Sequence, residues 1–172
     1  MLIAWQPPPT GWSCLNTDGS VLYSQGSSTA GGVIRREDGR LIRAFTANLG
    51  GGSITRAELM GICIGLRIAW EEGVRKVEVH SDSKAALALI QSAPEGSSHY
   101  NRVVQICRLI VREWQINLKH VFREANVVAD HLASLGHSLG NGEHLIHATT
   151  PSLSHLLLHD VLGIQSSRLV LS

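Results

Sequence analysis

The stretch from Ile54 to Trp70 constrains this chain more than any other. It contains no proline and is apolar almost all round, carrying Ala57, Leu59, Met60, Ile62, Cys63, Ile64, Leu66, Ile68 and Ala69. A helix with apolar residues on most of its sides has to be covered by other elements, which makes it the predicted central helix. Candidates for that cover lie on either side. From Trp12 to about Leu49 there are three strand-like runs, separated by turn signals at Gly26-Ser27-Ser28 and at Asp38-Gly39, the latter a hairpin signal. After the helix, Val74 to Ser81 alternates as a strand through Val77 and Val79, and Ser83 to Gln91 is rich in Ala and Leu, so a strand runs straight into a helix. Tyr100 to Trp114 carries apolar residues at helical spacing, Ile116 to Phe122 is strand-like, and Ala125 to Leu135 is helical and stopped by Gly136. The predicted order is β-β-β-α-β-α-α-β-α, an α/β arrangement.

The flanks are weaker. Pro7-Pro8-Pro9 followed by Thr10-Gly11 predicts an extended, proline-rich lead-in over residues 1–10, with the folded domain running over 11–136. Residues 137–172 are expected to form a loop, rich in Ser, Gly and His up to His144, and then a C-terminal helical extension over about Pro151 to Leu162. With 172 residues and 44% hydrophobic content the chain suits one domain, by the usual size of about 100–200 residues. A formal net charge of +1 gives no global footprint for a polyanion, so any such binding has to come from local clusters. Cys14, Cys63 and Cys107 are odd in number and far apart, with no C-x-x-C pair, which fits a reducing compartment. The N-terminus lacks the form of a signal peptide, and no apolar run approaches the roughly 18–20 residues of a membrane span. The expectation is an intracellular protein of nucleus or cytoplasm, not secreted, with no membrane partner and no organic cofactor.

Against 14 acids in all, those at the edges of apolar elements stand out: Asp18, Glu58, Asp82 and Asp130. Each has a plain structural reading. Asp18 in Thr17-Asp18-Gly19-Ser20 suits a turn, Glu58 closes a Thr55-x-x-Glu58 capping box, and Asp82 suits a helix N-cap. Asp130 suits the polar face of a helix whose buried stripe is Val128, Leu132 and Leu135. As a set they read differently, because strand ends next to helix starts are where α/β sheets place their sites. Carboxylates brought close together repel one another, and such a cluster is tolerated mainly where divalent cations occupy it. Oxygen-only ligands point to Mg²⁺ or Mn²⁺ rather than zinc, and two ions about 3.5–4 Å apart suit phosphodiester hydrolysis.

The segments carrying these acids are Asn16-Thr17-Asp18-Gly19-Ser20, Arg56-Ala57-Glu58-Leu59, Ser81-Asp82-Ser83 and Arg123-Glu124-Ala125-Asn126-Val127-Val128-Ala129-Asp130. In this order they resemble the D, E, D, D blocks of type 1 ribonuclease H. The resemblance covers about Trp5 to Gly136 and is closest to plant retroelement-derived ribonuclease H-like proteins, whose opening is similar to Trp5-Gln6-Pro7-Pro8-Pro9-Thr10-Gly11-Trp12. It implies a ribonuclease H-like fold, with a five-stranded mixed sheet (three antiparallel strands, then two parallel) flanked by helices. It implies divalent-metal-dependent hydrolysis of the RNA strand of RNA–DNA hybrids, with Mg²⁺ as cofactor (two ions, Mn²⁺ a substitute). Asp18 then binds both metals, Glu58, Asp82 and Asp130 complete the site, and Asn126, Ser83, Gly19 and Ser20 are the expected substrate-binding residues; Asn126, one helical turn before Asp130, is expected either to hold substrate or to orient that helix. Hybrid is recognised by shape and 2′-hydroxyls, so sequence specificity is expected to be low.

Some features depart from the family pattern. The bacterial enzymes carry a mobile His in the loop before the last helix; here Ile116, Leu118 and His120 alternate as a strand, so His120 is expected in the strand. Lys84 stands where those enzymes have Gln, and Ser92 to His99 is a short polar loop in place of their basic protruding helix. Ser154, His155, His159 and Asp160 hold the letters of a hydrolase triad but lie along one predicted helix, and triads converge from different elements. His144-x-x-His147 has ligand-like spacing without further partners. Arg35, Arg36, Arg40 and Arg43 flank the Asp38-Gly39 turn and are expected as a solvated basic hairpin. A second class of function, a catalytically weak module of retroelement origin that binds nucleic acid or protein, shares the fold; the intact set of acids favours the enzyme.

Overall fold

The computed structural model describes residues 1–147 and 150–170. Its centre is a mixed sheet. β1 (Leu2–Ile3) lies outside it; β2 (Ser13–Leu22), β3 (Ser27–Arg35) and β4 (Leu41–Gly50) form an antiparallel meander. The chain then crosses through α1 (Ile54–Glu71) to β5 (Lys76–Ser81), which lies parallel to β2. After α2 (Lys84–Ser92) and α3 (Tyr100–Ile110), β6 (Gln115–His120) adds parallel to β5, and α4 (Val127–Leu135) follows. Next come β7 (Gly142–Ile146), α5 (Pro151–Val161) and β8 (Ser166–Ser167). From β2 through α4 the order of strands and α-helices is the predicted one, whereas β1 falls in the expected lead-in.

The sheet has six strands rather than five, in the order β6-β5-β2-β3-β4-β7. The extra strand comes from the segment expected to be a loop: Ala44 to Asn48 of β4 pair antiparallel with Ile146 to Gly142. The edge of β4 offers a row of backbone donors and acceptors, and a short polar segment satisfies them without needing an apolar pattern of its own.

Alternation along the strands divides the core into two layers. Ile34 and Phe45 face one side with Leu15, meeting Leu59, Ile62 and Leu66 of α1, Leu87 and Ile90 of α2, and Ile106 of α3. Val33 and Ala44 face the other side, meeting Val128 and Leu132 of α4 and Leu153 of α5. Leu59, Ile62 and Leu66 are fully buried, each contributing about 1.5–3 kcal/mol of apolar burial, which accounts for the central place of α1. On the opposite face α4 sits directly on β3, because Gly31 has no side chain: a Cβ there would run into the backbone of Ala133. No helix among the described residues is long and apolar enough to cross a membrane.

The flanks pack more closely than an extended lead-in suggests. Leu2 and Ile3 pair with Ser167 and Ser166, and Ile3 and Trp5 are buried. Arg35, expected on a solvated hairpin, is fully buried. Its guanidinium stacks 3.8 Å from the centre of the Trp5 ring and donates from Nε and Nη2 to Asn16 Oδ1 at 3.1 and 2.9 Å. Nη1 stands 2.9 Å from Asp160 Oδ2 on α5. Both flanks thus supply partners to one buried charge, which explains why an arginine at a strand end lies in the core. Asp160 is committed to this pair, and Ser154, His155, His159 and Asp160 all lie along α5, the single helix expected of them.

Candidate active site

The parallel register of β2 and β5 pairs Thr17 with Ser81, so Asp18, inside β2, and Asp82, just past the C-terminal end of β5, occupy neighbouring positions. Glu58 arrives from the first turns of α1. That approach depends on Gly19, where a Cβ would stand 2.7 Å from Glu58 N and 2.9 Å from the Ala57 Cβ. A carboxylate oxygen of each of Asp18, Glu58 and Asp82 lies within 4.8 Å of the others. Asp18 and Glu58 are buried and Asp82 is half-buried.

The plain structural roles for two of these acids belong to their serine neighbours. Ser53 Oγ caps α1 by accepting from Arg56 N at 3.1 Å, and Ser83 Oγ caps α2 by accepting from Ala86 N at 3.1 Å. Glu58 and Asp82 are therefore free of capping duty. Asp18 Oδ1 accepts from Gly19 N at 2.9 Å, whereas Glu58 Oε2 is buried without a hydrogen-bond partner. Burial pushes the Asp18 carboxyl up from the ordinary range, and the charges of Asp82 and Asp130 push it further. Glu58 is raised by burial and then by Asp18 and Asp82. Asp82 is raised by burial, with Arg123 pulling the other way.

Asp130 stands in the first turn of α4 and lines the same cavity of about 300 Å³, together with Asp18, Gly19, Ser20, Glu58, Asp82 and Arg123. It lies outside the close trio; Arg123 Nη2 donates to Asp130 Oδ1 at 3.3 Å. Arg123 belongs to the same sequence block as Asp130 yet escaped notice, because an exposed arginine at a loop start carries no pattern of its own.

Among the expected substrate-binding residues, Gly19 and Ser20 line the cavity. Ser83 is the α2 cap. Asn126 is buried, and its amide is spent inside the protein: Oδ1 accepts from Asn16 Nδ2 at 3.1 Å and Nδ2 donates to the Thr17 carbonyl at 2.9 Å. Of its two expected roles, these bonds fit the orienting one: Asn126 ties the start of α4 to β2 beside Asp18. His120 ends β6 as the alternation predicts, but that end faces a cavity shared with Asp82. His137, in the segment read as loop, reaches Ser20 Oγ at 2.9 Å and Ser27 Oγ at 2.7 Å, joining the end of α4 to the β2–β3 hairpin.

Residues 16–136 match the family described as reverse transcriptase-like, and the chain belongs to that family, with a ribonuclease H-like domain. It is 35% identical over 170 residues to a protein of Arabidopsis thaliana named "Putative ribonuclease H protein", covering 98% of this chain and 27% of that relative. The chain thus spans about a quarter of the relative's length. The RNase H1 of Halobacterium salinarum NRC-1 superposes with a TM-score of 0.67 at 22% identity, over 73% of this chain and 97% of that one. The N-terminal RNase H domain of a Mycobacterium tuberculosis protein gives 0.67 at 23%, over 73% and 92%. LC11-RNase H1 in complex with RNA/DNA hybrid gives 0.63 at 22%, over 70% and 92%. These structures share the fold.

Proposed function

We propose that the chain is a ribonuclease H, a divalent-metal-dependent endonuclease that hydrolyses the RNA strand of RNA–DNA hybrids. The observation that carries this reading is the convergence of Asp18, Glu58 and Asp82 around a buried, unpartnered Glu58 oxygen. Three like charges on one patch, with an orphaned acceptor, fit a hard cation that takes oxygen ligands, and Mg²⁺ is the one expected, with Mn²⁺ as substitute. Asp18, Glu58 and Asp82 would hold it, and Asp130 stands at the cavity wall to complete a second position. When bound, such ions activate a water and neutralise the departing oxygen of a phosphodiester.

The protein's own part is placement. Gly19 admits α1 so that Glu58 reaches Asp18, Ser83 takes over the cap and leaves Asp82 unspent, and Asn126 fixes the start of the helix bearing Asp130. The relative from Arabidopsis thaliana and the hybrid-bound LC11-RNase H1 support the choice of substrate. An intracellular setting, in nucleus or cytoplasm, belongs to the same proposal.

The test is a cleavage assay on uniform RNA–DNA hybrid, double-stranded RNA and single-stranded RNA, with and without Mg²⁺. The expected result is internal cuts in the RNA of the hybrid that require metal and leave 5′-phosphate ends. Equal cleavage in EDTA, or none on hybrid by a folded protein, contradicts it.

A further inference from the structure

A second cavity, of about 330 Å³, adjoins the acid-lined one. It is lined by Asp82, Lys84, His120, Val121, Phe122, Arg123 and Arg168, and it shares Asp82 and Arg123 with its neighbour. Its charge is opposite: Lys84, Arg123 and Arg168 are cationic, His120 is a fourth nitrogen base, and Asp82 is the one acid on its wall. Three elements converge here, namely the start of α2, the end of β6 with the turn after it, and the C-terminal segment.

Arg168 lies beyond residues 16–136, which match the family, in the C-terminal extension. It is held in place rather than trailing in solvent. Its backbone N donates to the Met1 carbonyl at 2.9 Å, next to the pairing of β1 with β8. Its Nη1 donates to both oxygens of Glu124 at 3.1 and 2.9 Å, and the guanidinium lies 4.5 Å from the centre of the exposed Phe122 ring. The side chain is still 38% exposed, which leaves donors for a ligand.

An acid cluster repels the polyanion that it is meant to cut, so the strand needs compensating cations beside it. We infer that this cavity binds a backbone phosphate of the strand being cleaved, next to the reacting phosphodiester, and that Arg168 of the C-terminal extension is one of its ligands. The inference rests on the nuclease reading for the identity of the strand. The shared wall of Asp82 and Arg123 makes the two cavities consecutive stops along one chain of phosphates, and an arginine fork matches phosphate geometry.

The experiment measures binding of a fluorescent RNA–DNA hybrid in EDTA across a salt series, for the parent, Arg168→Ala, Arg168→Lys and Glu124→Gln. Loss of one charge-assisted contact in Arg168→Ala should weaken binding about tenfold at low salt. It should also flatten the slope of log affinity against log salt by about one. Arg168→Lys should keep the slope, and Glu124→Gln should bind as tightly as the parent or tighter, since it removes a nearby negative charge and leaves the arginine. If Arg168→Ala and Glu124→Gln weaken binding equally with the parent's slope, Arg168 only pins the C-terminal segment and the inference is wrong. Metal-dependent cleavage with no effect of Arg168 on affinity overturns the phosphate site alone. An Arg168-dependent slope in a protein that does not cleave upholds the site and overturns the nuclease reading.

Discussion

Two buried polar clusters in this protein invite comparison, and they are opposites. Around Arg35 the charges are complementary: the guanidinium meets Asp160, Asn16 and the face of Trp5, with the pair 0% and 4% exposed at the side chains. Around Glu58 the charges are alike, two carboxylates beside a third, with one oxygen left without a partner. Burying a polar group is tolerated where its partners are built in. The first cluster sets a cation against a carboxylate and therefore holds structure. The second gathers carboxylates with no cation of the protein among them, beside a cavity with room for one.

The largest expected effect separates the two by chemistry. Asp82→Asn should lower hybrid cleavage by about a thousandfold or more, the scale on which metal-assisted charge stabilisation acts. Asp160→Ala should leave the turnover of the folded protein close to the parent's. A comparable loss in both variants would erase the distinction between them.

On stability the order reverses. Asp160→Ala strands the Arg35 charge in the core and should cost about 3–5 kcal/mol, read from denaturant unfolding. Asp82→Asn relieves repulsion and, without metal, should leave the protein as stable as the parent or more so by about 1 kcal/mol. An Asp160→Ala protein of full stability would show the Arg35 pair to be ornamental.

That four acids line one cavity was readable from the sequence because Glu58, Asp82 and Asp130 stand at helix starts or strand ends beside regular neighbours; Asp18, which suited a turn, lies inside β2. What the blocks lacked was the division of labour between neighbours: Ser53 and Ser83 cap the helices that Glu58 and Asp82 seemed suited to cap. Arg35 was misjudged because its flank, Arg35-Arg36-Glu37-Asp38-Gly39-Arg40, has the composition of an exposed turn, and its partners Trp5 and Asp160 come from the two chain ends. The sixth strand escaped for a related reason. Gly142-Glu143-His144-Leu145-Ile146 has no strong alternation, and its pairing is dictated by the open edge of β4 rather than by its own side chains.

A pH series sharpens the contrast at a smaller scale. The Asp18 and Glu58 carboxyls are raised in the folded state by burial first, and then by neighbouring carboxylates: Asp82 and Asp130 for Asp18, Asp18 and Asp82 for Glu58. The folded protein therefore holds protons that the unfolded chain releases above the ordinary carboxylate range of about 4, so this cluster's contribution to stability falls as pH rises. In EDTA the melting temperature of the parent should decline from mildly acid to mildly alkaline pH more steeply than that of Glu58→Gln. A parent curve as flat as the variant's would mean that the cluster is not strained.

The smallest effect is expected at His120. It faces the Asp82 cavity from the end of β6, fixed in the strand and in edge-to-face contact with Phe122 at 5.8 Å. Its replacement by Ala should raise KM for hybrid and cost turnover less than the 10²–10⁴-fold, roughly, of a lost general acid or base. A loss near a thousandfold with the fold intact would give it a chemical role that the strand position does not suggest.

The most direct test of whether the acid cluster is a cation site is a set of thermal melts of the parent and Asp82→Asn, each in EDTA and in millimolar Mg²⁺. Metal should raise the melting temperature of the parent by mass action and that of the variant much less, while in EDTA the variant melts no lower than the parent. If Asp82→Asn melts clearly lower in EDTA and neither protein responds to Mg²⁺, the acids are structural and the account fails.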